Sequence, residues 1–173
     1  MPVDVSLLKE IPFFRDLTIE ELYQIATIAE EIKIPVNRIV FRQGEPADAF
    51  YIILEGEVTV RKSFNKKEQR IVDMSRGALL GEMAFITGEQ RTGTVKTNSA
   101  VKLLKISKEK FDLLLAGQYS LAGYKLIYRI AQILSFRLAR FGEQFVSILE
   151  EDKTSGHGNE SLWDHIKRFL GAD

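Results

Sequence analysis

The sequence predicts a mainly β fold, namely a jelly roll (a double-stranded β-helix) of about eight strands with an N-terminal helix and a long C-terminal helix. Short apolar runs follow one another between residues 39 and 106, and Gly, Pro, Asn and Asp separate them closely. Many short strands with regular turns are typical of a β-sandwich or jelly roll. The clearest helical periodicities lie outside this region, on either side of it.

The N-terminal region predicts a short apolar lead-in followed by one capped helix. The lead-in runs from Leu7 to Phe14. Thr18 and Glu21 have the spacing of a capping box, in which each side chain accepts a hydrogen bond from the backbone of the other residue. The helix that begins there carries apolar residues spaced for one buried face: Leu22, Ile25, Ala26, Ile28 and Ala29.

The strand-like runs occupy the middle of the chain. They are Ile39 to Phe41, Phe50 to Leu54, Val58 to Val60, Ile71 to Met74, Thr94 to Thr97 and Val101 to Ile106. After the last of them, Ser107 is predicted to cap a short helix that passes through Phe111 and Leu115.

The segment from Tyr119 to Leu149 predicts the long C-terminal helix. Its apolar residues are separated by alternating steps of three and four: Tyr124, Ile127, Ala131, Leu134, Leu138, Phe141, Phe145 and Ile148. This heptad pattern indicates a homodimer seam. Packing of the same helix against its own barrel would give a similar pattern, and one helix can serve both purposes.

The remaining residues divide into a linker and a tail. Residues 150–160 are polar and contain glycine, which is typical of a linker. Residues 161–173 form a predicted amphipathic helix, with residues 1–149 as the main domain. Trp163 in this tail is a candidate lid, since aromatic rings stack on purines. The apolar side of the tail would equally serve to cover barrel or dimer surface.

The composition excludes several classes of function. The 173 residues carry no net formal charge, so broad binding to nucleic acid or to an anionic membrane is not indicated. There are no cysteines, so disulfides and thiolate metal sites are excluded. The N-terminus lacks the pattern of a signal peptide, and no apolar run approaches the roughly 18 residues of a membrane span. We therefore expect a cytoplasmic protein.

The stretch from Leu80 to Thr94, LGEMAFITGEQRTGT, holds the residues with the clearest chemistry. A ligand can approach the backbone closely at Gly81, which has no Cβ. Residues 83–86 predict one helical turn that Gly88 ends, and the first N–H groups of a helix favour an anion. Arg91 supplies a planar cation suited to phosphate, whereas the Glu82 carboxylate only accepts hydrogen bonds and suits sugar hydroxyls. Together they predict a site for a compact sugar phosphate.

These residues resemble the phosphate-binding cassette of the cyclic nucleotide-binding domain family, which includes the regulatory subunits of cyclic AMP-dependent kinase and the bacterial catabolite activator protein. The family pattern is roughly Gly-Glu-x-Ala-Leu, a variable loop and Arg-x-Ala-Thr/Ser. Here it stands as Gly81 to Phe85 and Arg91 to Thr94. The family's paired glycines also have counterparts, within residues 43–48 and 54–58. The similarity runs from about Leu8 to about Leu149.

The resemblance implies a ligand, cyclic AMP or cyclic GMP, and no other cofactor. It implies that Glu82 binds the ribose 2′-hydroxyl. It also implies that Arg91 and backbone N–H groups around Met83 and Ala84 bind the cyclic phosphate. The residues expected to contact the ligand are Gly81, Glu82, Met83, Ala84, Arg91 and Thr92.

Three features depart from the family pattern. Residues 77–80 read Gly-Ala-Leu-Leu where members usually carry Gly-Asp-x-Phe. Gly93 replaces the usual Ala. Thr92 follows the arginine directly, where many cyclic AMP binders have Ala or Ser, and in some cyclic GMP-selective members a Thr there contacts guanine. This last departure tilts the expectation only slightly from cyclic AMP towards cyclic GMP.

Other readings of the same residues are weaker. Glu82 and Arg91 taken alone would fit a structural ion pair. A metal-dependent jelly-roll enzyme needs histidines on barrel strands, but the histidines here are His157 and His165, in the linker and tail. A transcription regulator would carry a helix-turn-helix domain after the long helix, and about 24 residues after Leu149 are too few for one.

The sequence therefore predicts a non-enzymatic cyclic nucleotide sensor. Ligand would order the loop from Gly81 to Thr94, and the hinge between Phe111 and Tyr119 would pass that change to the long helix. The output would reach an unidentified partner protein or the protein's own oligomer. The alternative is a scaffold or dimerisation module whose cassette is vestigial and binds nothing.

Overall fold

The computed structural model describes residues 3–65 and 67–154, with side chains described as far as residue 147. The helices in these residues are α1 (Val5–Lys9), a 3-10 helix (Pro12–Phe14), α2 (Ile19–Ile28), α3 (Glu82–Thr87), α4 (Lys108–Ala116) and α5 (Ser120–Thr154). The strands are β1 (Ala29–Ile34), β2 (Ile39–Phe41), β3 (Ala49–Glu55), β4 (Val58–Phe64), β5 (Lys67–Met74), β6 (Leu79–Leu80), β7 (Thr94–Thr97) and β8 (Val101–Ser107).

The strands form two antiparallel sheets, which confirms the predicted jelly roll. One sheet has the order β1-β8-β3-β6 and the other has the order β2-β7-β4-β5. Strand β3 pairs with both β8 and β6, so it lies inside its sheet. Apart from the β4–β5 hairpin, neighbouring strands are not consecutive in the chain, and short turns between strands match the Gly- and Pro-rich punctuation of the sequence.

The core has two layers because side chains alternate along β3. Ala49, Tyr51 and Ile53 belong to a cluster between the sheets, together with Phe41, Val58, Leu80, Val95, Val101 and Leu103. Phe50 belongs to the opposite face, where an aromatic cluster joins the sheet to the helices. Its members are Phe13, Phe14, Phe50, Phe85 and Phe111. Burial on both faces explains why β3 is apolar almost throughout.

The predicted capping box at the start of α2 is confirmed. The Thr18 side chain accepts from the Glu21 N–H, and the Glu21 carboxylate accepts from the Thr18 N–H at 2.7 Å. The predicted helix was one residue too long, however. Ala29 already has extended backbone angles and pairs with Ile106 at the start of β1, so sheet pairing prevails over helical spacing there.

Two strands had no counterpart in the predicted runs, β1 and β6. Strand β1 lies at a sheet edge and most of its residues are polar or half-exposed, so its apolar signal is weak. Strand β6 has only two residues, Leu79 and Leu80, which pair with Ile52 and Tyr51. A pair this short has no period that the sequence could display.

The long helix α5 begins as predicted and continues to Thr154, which takes in the first residues of the predicted linker. The chain forms two compact units, Met1–Ala131 and Gln132–Asp173, and the division falls within α5. In the first unit the buried face of α5 carries Ala122, Leu126 and Ile130. The rest of the linker and the tail, with Trp163, lie outside the described residues.

No helix in the described part of the chain is long and apolar enough to cross a membrane.

Candidate functional site

The cassette segment folds as its local sequence predicts. Gly81 precedes α3 with φ of 75°, and Gly88 follows it with φ of 73°, so both ends use the left-handed region that glycine tolerates. The Gly88 N–H donates to the Ala84 carbonyl at 2.9 Å and closes the helix. The result is a single short helix, α3, between β6 and the loop that carries Arg91.

The backbone of Arg91 is fixed against the turn between β2 and β3. Its N–H donates to the Glu45 carbonyl at 2.8 Å, and its carbonyl accepts from the Gly44 N–H at 2.9 Å. An adjacent bridge pairs Gln90 with Pro46. The glycine-containing turn within residues 43–48 therefore holds the cassette loop in place through main-chain hydrogen bonds.

The Arg91 side chain turns inward and is held by three acceptors. Nη1 donates to the Gly81 carbonyl at 3.0 Å. Nη2 donates to the Ala49 carbonyl at 2.6 Å and to Asp48 Oδ1 at 3.0 Å. Gly81 immediately precedes α3, and Ala49 is the first residue of β3. This one side chain therefore connects the start of α3 to the start of β3.

One nitrogen of this guanidinium, Nε, has no partner among the described residues. Arg91 is buried, with its side chain only 1 % exposed, and Nε forms no hydrogen bond to any described residue. Its Cζ lies 4.3 Å from the centroid of the Phe41 ring, which in turn stacks on Tyr51. A buried cationic N–H without an acceptor is costly, so this donor is the clearest unsatisfied group at the site.

The electrostatics around Arg91 are set by Asp48. The Asp48 side chain is 66 % exposed, and its second oxygen lies 3.7 Å from Lys105 Nζ, so it contacts two cations. Tyr51 supplies no further anion, because burial raises the pKa of its phenol to about 12, with a smaller contribution from Asp48. Tyr51 therefore stays neutral beside the guanidinium at physiological pH.

The approach of Arg91 to Gly81 explains why this position is a glycine. A Cβ added to Gly81 would lie 2.4 Å from Arg91 Nη1 and 3.3 Å from the Phe41 ring. At Gly88 an added Cβ would meet nothing within 4 Å. Gly81 is therefore required both by its backbone angles and by the space that the guanidinium occupies.

The other predicted site residues have contrasting exposures. Glu82 is 3 % exposed and Ala84 is buried. Met83, on α3, and Thr92, which directly follows Arg91, are exposed. The structure thus buries Glu82 and Arg91, leaves Gly81 half-buried against the Arg91 guanidinium, and places Met83 and Thr92 at the surface.

An open cleft of about 590 Å³ adjoins this segment. It shares Arg91 and Thr92 with the predicted site but not Gly81, Glu82, Met83 or Ala84. Its lining residues are Gln43, Gly44, Lys62, Glu89, Gln90, Arg91 and Thr92. In the described residues no group of three or more acidic or histidine side chains is arranged to hold a metal ion.

The family model for the cyclic nucleotide-binding domain matches residues 31–118, just over half of the chain. The match begins within β1 and continues through β8, and it contains the whole cassette. The chain belongs to the cyclic nucleotide-binding domain family. The family model describes a ligand-binding domain, and the range that it matches contains the residues that surround Arg91.

Individual relatives show where such domains occur. This cyclic nucleotide-binding domain is 30 % identical over 117 residues to a cyclic nucleotide-gated potassium channel of Mesorhizobium japonicum, covering 68 % of this chain and 31 % of the channel. It is 29 % identical over 110 residues to a cAMP-dependent protein kinase regulatory subunit of Emericella nidulans, covering 64 % of this chain and 26 % of that protein. The chain thus spans about a third or less of these relatives' length.

The fold also matches a solved structure over most of both chains. A crystal structure of a cyclic nucleotide-binding domain from Methylobacillus flagellatus is 29 % identical, with a TM-score of 0.70. The match covers 85 % of this chain and 81 % of the other.

Sequence reasoning missed the residues that surround Arg91. Asp48 was noted only as the end of a glycine-containing turn, and Phe41 and Tyr51 only as apolar strand residues. Lys62 and Glu89 were not singled out at all. No short-range pattern marks Phe41, Asp48 or Tyr51, because they meet Arg91 through contacts between residues distant in the chain.

Proposed function

We propose that this cyclic nucleotide-binding domain is a sensor that binds cyclic AMP or cyclic GMP and passes the resulting change to a partner protein or to its own oligomer. Arg91 and the first-turn N–H groups of α3 bind the cyclic phosphate. Glu82 accepts a hydrogen bond from the ribose 2′-hydroxyl. The roles follow from the chemistry of these groups and from the family to which the chain belongs.

The buried Nε donor of Arg91 is the observation that carries this proposal. The guanidinium is already aligned by Gly81, Ala49 and Asp48, so little side-chain freedom is lost when an anion arrives. A phosphate oxygen that accepts from Nε would satisfy the guanidinium nitrogen that has no partner among the described residues. The first-turn N–H groups of α3 would supply further donors, since a helix provides no internal acceptor for them.

A route for the signal leads from α3 to α4. Phe85 on α3 has its ring centroid 5.3 Å from that of Phe111 on α4 and 4.8 Å from that of Phe50. A shift of α3 on ligand binding would therefore act directly on α4, which lies just before the start of α5. The ligand must bind one arrangement of these helices better than the other for this to operate.

The surface of α5 supports a homodimer as the oligomer that responds. Tyr124, Leu138 and Phe141 of the predicted seam are exposed, and Ala131 is too. Ile127, Leu134 and Phe145 are half-buried. Exposed apolar residues at heptad spacing are suited to a second copy of the same helix.

One observation favours the alternative, a scaffold whose cassette binds nothing. Three donors of Arg91 already have protein acceptors, so the arginine contributes to the fold without any ligand. We prefer the sensor because the cassette keeps both Glu82 and Arg91, and because a phosphate oxygen would supply the acceptor that Arg91 Nε lacks among the described residues.

Calorimetric titration with cyclic AMP and with cyclic GMP tests the proposal. Arg91→Ala should lower the affinity about tenfold to 150-fold, because hydrogen bonds to a charged group are worth roughly 1.5–3 kcal/mol. Arg76→Ala is the matched control, since Arg76 is an exposed arginine that pairs with Glu10. Circular dichroism should show that both variants fold.

The outcomes separate the two functions. Saturable binding of either nucleotide that Arg91→Ala weakens and Arg76→Ala leaves intact supports the sensor. A folded wild type that binds neither nucleotide supports the scaffold.

A further inference from the structure

The end of the β4–β5 hairpin concentrates positive charge in a chain that is neutral overall. The whole chain has 24 basic and 24 acidic residues. Residues 61–70, RKSFNKKEQR, contain five basic residues and one acidic residue, so their net formal charge is +4. The neutrality of the whole chain therefore does not describe this segment, and local binding to an anionic surface has to be judged from the hairpin itself.

The pairing of β4 with β5 divides these residues between two faces. The register is Lys62 with Gln69, Ser63 with Glu68 and Phe64 with Lys67. Directly opposed residues share a face, and successive residues of a strand alternate between faces. One face therefore carries Phe64 together with Lys62 and Lys67. The acid of the segment, Glu68, lies on the other face, where its Oε2 is 3.3 Å from Arg61 Nε.

The lysines on the face of Phe64 are not neutralised by ion pairs, in contrast to the arginines. Arg70 pairs with Asp73, as Arg61 does with Glu68. Lys62 and Lys67 are exposed, and neither forms a salt bridge with any described residue. This face of the hairpin therefore presents two cations to solvent.

Phe64 adds an apolar group to the end of this basic face. It is 69 % exposed, and Asn65, with φ of 49°, turns the chain directly after it. Unlike Tyr and Trp, phenylalanine has no polar atom on its ring, so an exposed ring gains free energy chiefly by entering an apolar medium. The lysines beside it have apolar stems that can follow the ring while their charged ends stay in water.

We propose that the face formed by Lys62, Phe64 and Lys67 docks on an anionic membrane surface. The two ammonium groups contact acidic headgroups, and the Phe64 ring enters the boundary between headgroups and acyl chains. One basic residue near such a surface strengthens binding about fivefold, which corresponds to about 1 kcal/mol. The result is a weak, reversible association of the domain with lipid.

Nucleic acid is the other polyanion that would attract these lysines. Proteins that bind single strands combine a basic groove with several aromatic rings, on which successive bases stack. This face of the hairpin has one ring, at its end, and the acid Glu68 lies on the opposite face of the same strand pair. A single apolar ring flanked by lysines is better suited to the lipid interface.

Co-sedimentation of the intact chain with lipid vesicles, in the absence of nucleotide, tests the inference. Vesicles of equal parts phosphatidylserine and phosphatidylcholine are compared with vesicles of phosphatidylcholine alone. We expect binding to the anionic vesicles to be about 25-fold tighter, because two lysines contribute about fivefold each. The difference should shrink as salt is added, since ions screen the attraction.

Three substitutions assign the binding to this face. Lys62→Gln and Lys67→Gln should each weaken binding to the anionic vesicles about fivefold. Phe64→Ala should weaken it about tenfold, because the ring no longer leaves water. All three residues are exposed, so the fold should be kept, and circular dichroism checks this.

Matched controls lie on the helices of the same compact unit. Lys110 is an exposed lysine on α4, and Tyr23 is an aromatic residue on α2 that is 61 % exposed. Lys110→Gln and Tyr23→Ala should both bind the anionic vesicles as wild type does.

Three results would overturn the inference. Equal binding of wild type to anionic and neutral vesicles would remove the role of the lysines. Wild-type binding by Phe64→Ala would show that the ring does not enter the lipid. Binding of wild type to single-stranded DNA but not to anionic vesicles would assign the basic face to nucleic acid. The sensor is tested separately by calorimetry, because neither Phe64 nor Lys67 lines the cleft beside Arg91.

Discussion

At the scale of single residues, the site depends on how tightly Arg91 is positioned. Its guanidinium lies on the Phe41 ring and donates to two main-chain carbonyls, so its position is set by backbone as much as by Asp48. Asp48 is largely exposed, and water weakens its attraction to the guanidinium. The arginine is consequently held mainly by uncharged main-chain acceptors, and Asp48 neutralises its positive charge only in part.

Gly81→Ala is expected to disturb this arrangement more than Gly88→Ala does. Both glycines have positive φ, so an alanine at either position costs about 1–2 kcal/mol in backbone strain. At Gly81 the new Cβ also displaces Arg91 Nη1. Loss of that charged hydrogen bond should add about 1.5–3 kcal/mol. Urea unfolding measures the free energy of unfolding of both variants.

Nucleotide affinity provides the second measurement for these glycines. Gly81→Ala should weaken binding because the guanidinium moves, whereas Gly88→Ala should leave the affinity close to that of wild type. Equal losses of stability and of affinity at the two positions would mean that the close approach of Arg91 to Gly81 has no energetic importance.

At the scale of secondary-structure elements, Glu21 joins the start of α2 to α5. Its carboxylate caps α2 through the Thr18 N–H and also accepts from Lys125 Nζ, which lies 2.7 Å from Oε1. Lys125 further donates to the Asp16 carbonyl at 3.4 Å. Glu21 is buried, so this ion pair is screened less than a surface pair. The first turns of α5 are therefore fixed to the N-terminal helices.

A double-mutant cycle of Glu21→Gln and Lys125→Met should measure this connection. We expect a coupling energy of about 0.5–1.5 kcal/mol in urea unfolding, because the two side chains are in direct contact and partly desolvated. Glu30→Gln, at an exposed carboxylate on β1, should change the stability by less than about 0.5 kcal/mol. Strict additivity of the two substitutions would show that α2 and α5 are not linked through this pair.

At the scale of the whole molecule, α5 leaves apolar residues at heptad positions exposed. Leu138 is 70 % exposed, and Tyr124 and Phe141 are also exposed. Apolar residues at heptad positions stabilise a helix pair when they are buried together, at roughly 25 cal/mol for each Å² removed from water. A homodimer through α5 is the arrangement that we propose for them.

Light scattering of Leu138→Glu measures whether the seam forms a dimer. The substitution places a charge in the seam and should convert a dimer to a monomer, with little effect on the fold because the residue is exposed. Leu113→Glu, at a leucine on α4 that is 68 % exposed, should leave the dimer intact. A wild type that is monomeric at high concentration, with and without cyclic nucleotide, would refute the dimer.

The sequence by itself determined most of the helices and strands. The capping box of α2, the stop of α3 at Gly88 and the Ser107 cap of α4 all depend on residues within four positions of one another, and all three are confirmed. Short apolar runs separated by Gly, Pro, Asn and Asp indicated the strands for the same reason, since a run and the turn residues that bound it are local features. Only β1 and β6 lacked an apolar run clear enough to predict a strand.

Only the tertiary structure decided which groups surround the arginine. Asp48 and Ala49 lie 43 and 42 positions from Arg91 along the chain, and they meet it because the turn before β3 lies against the cassette loop. The cleft that Lys62 and Glu89 share depends likewise on how the strands are ordered in the sheet. Strand order and register are properties of the whole sheet, since each strand's position depends on all its neighbours. Local spacing therefore cannot encode these contacts.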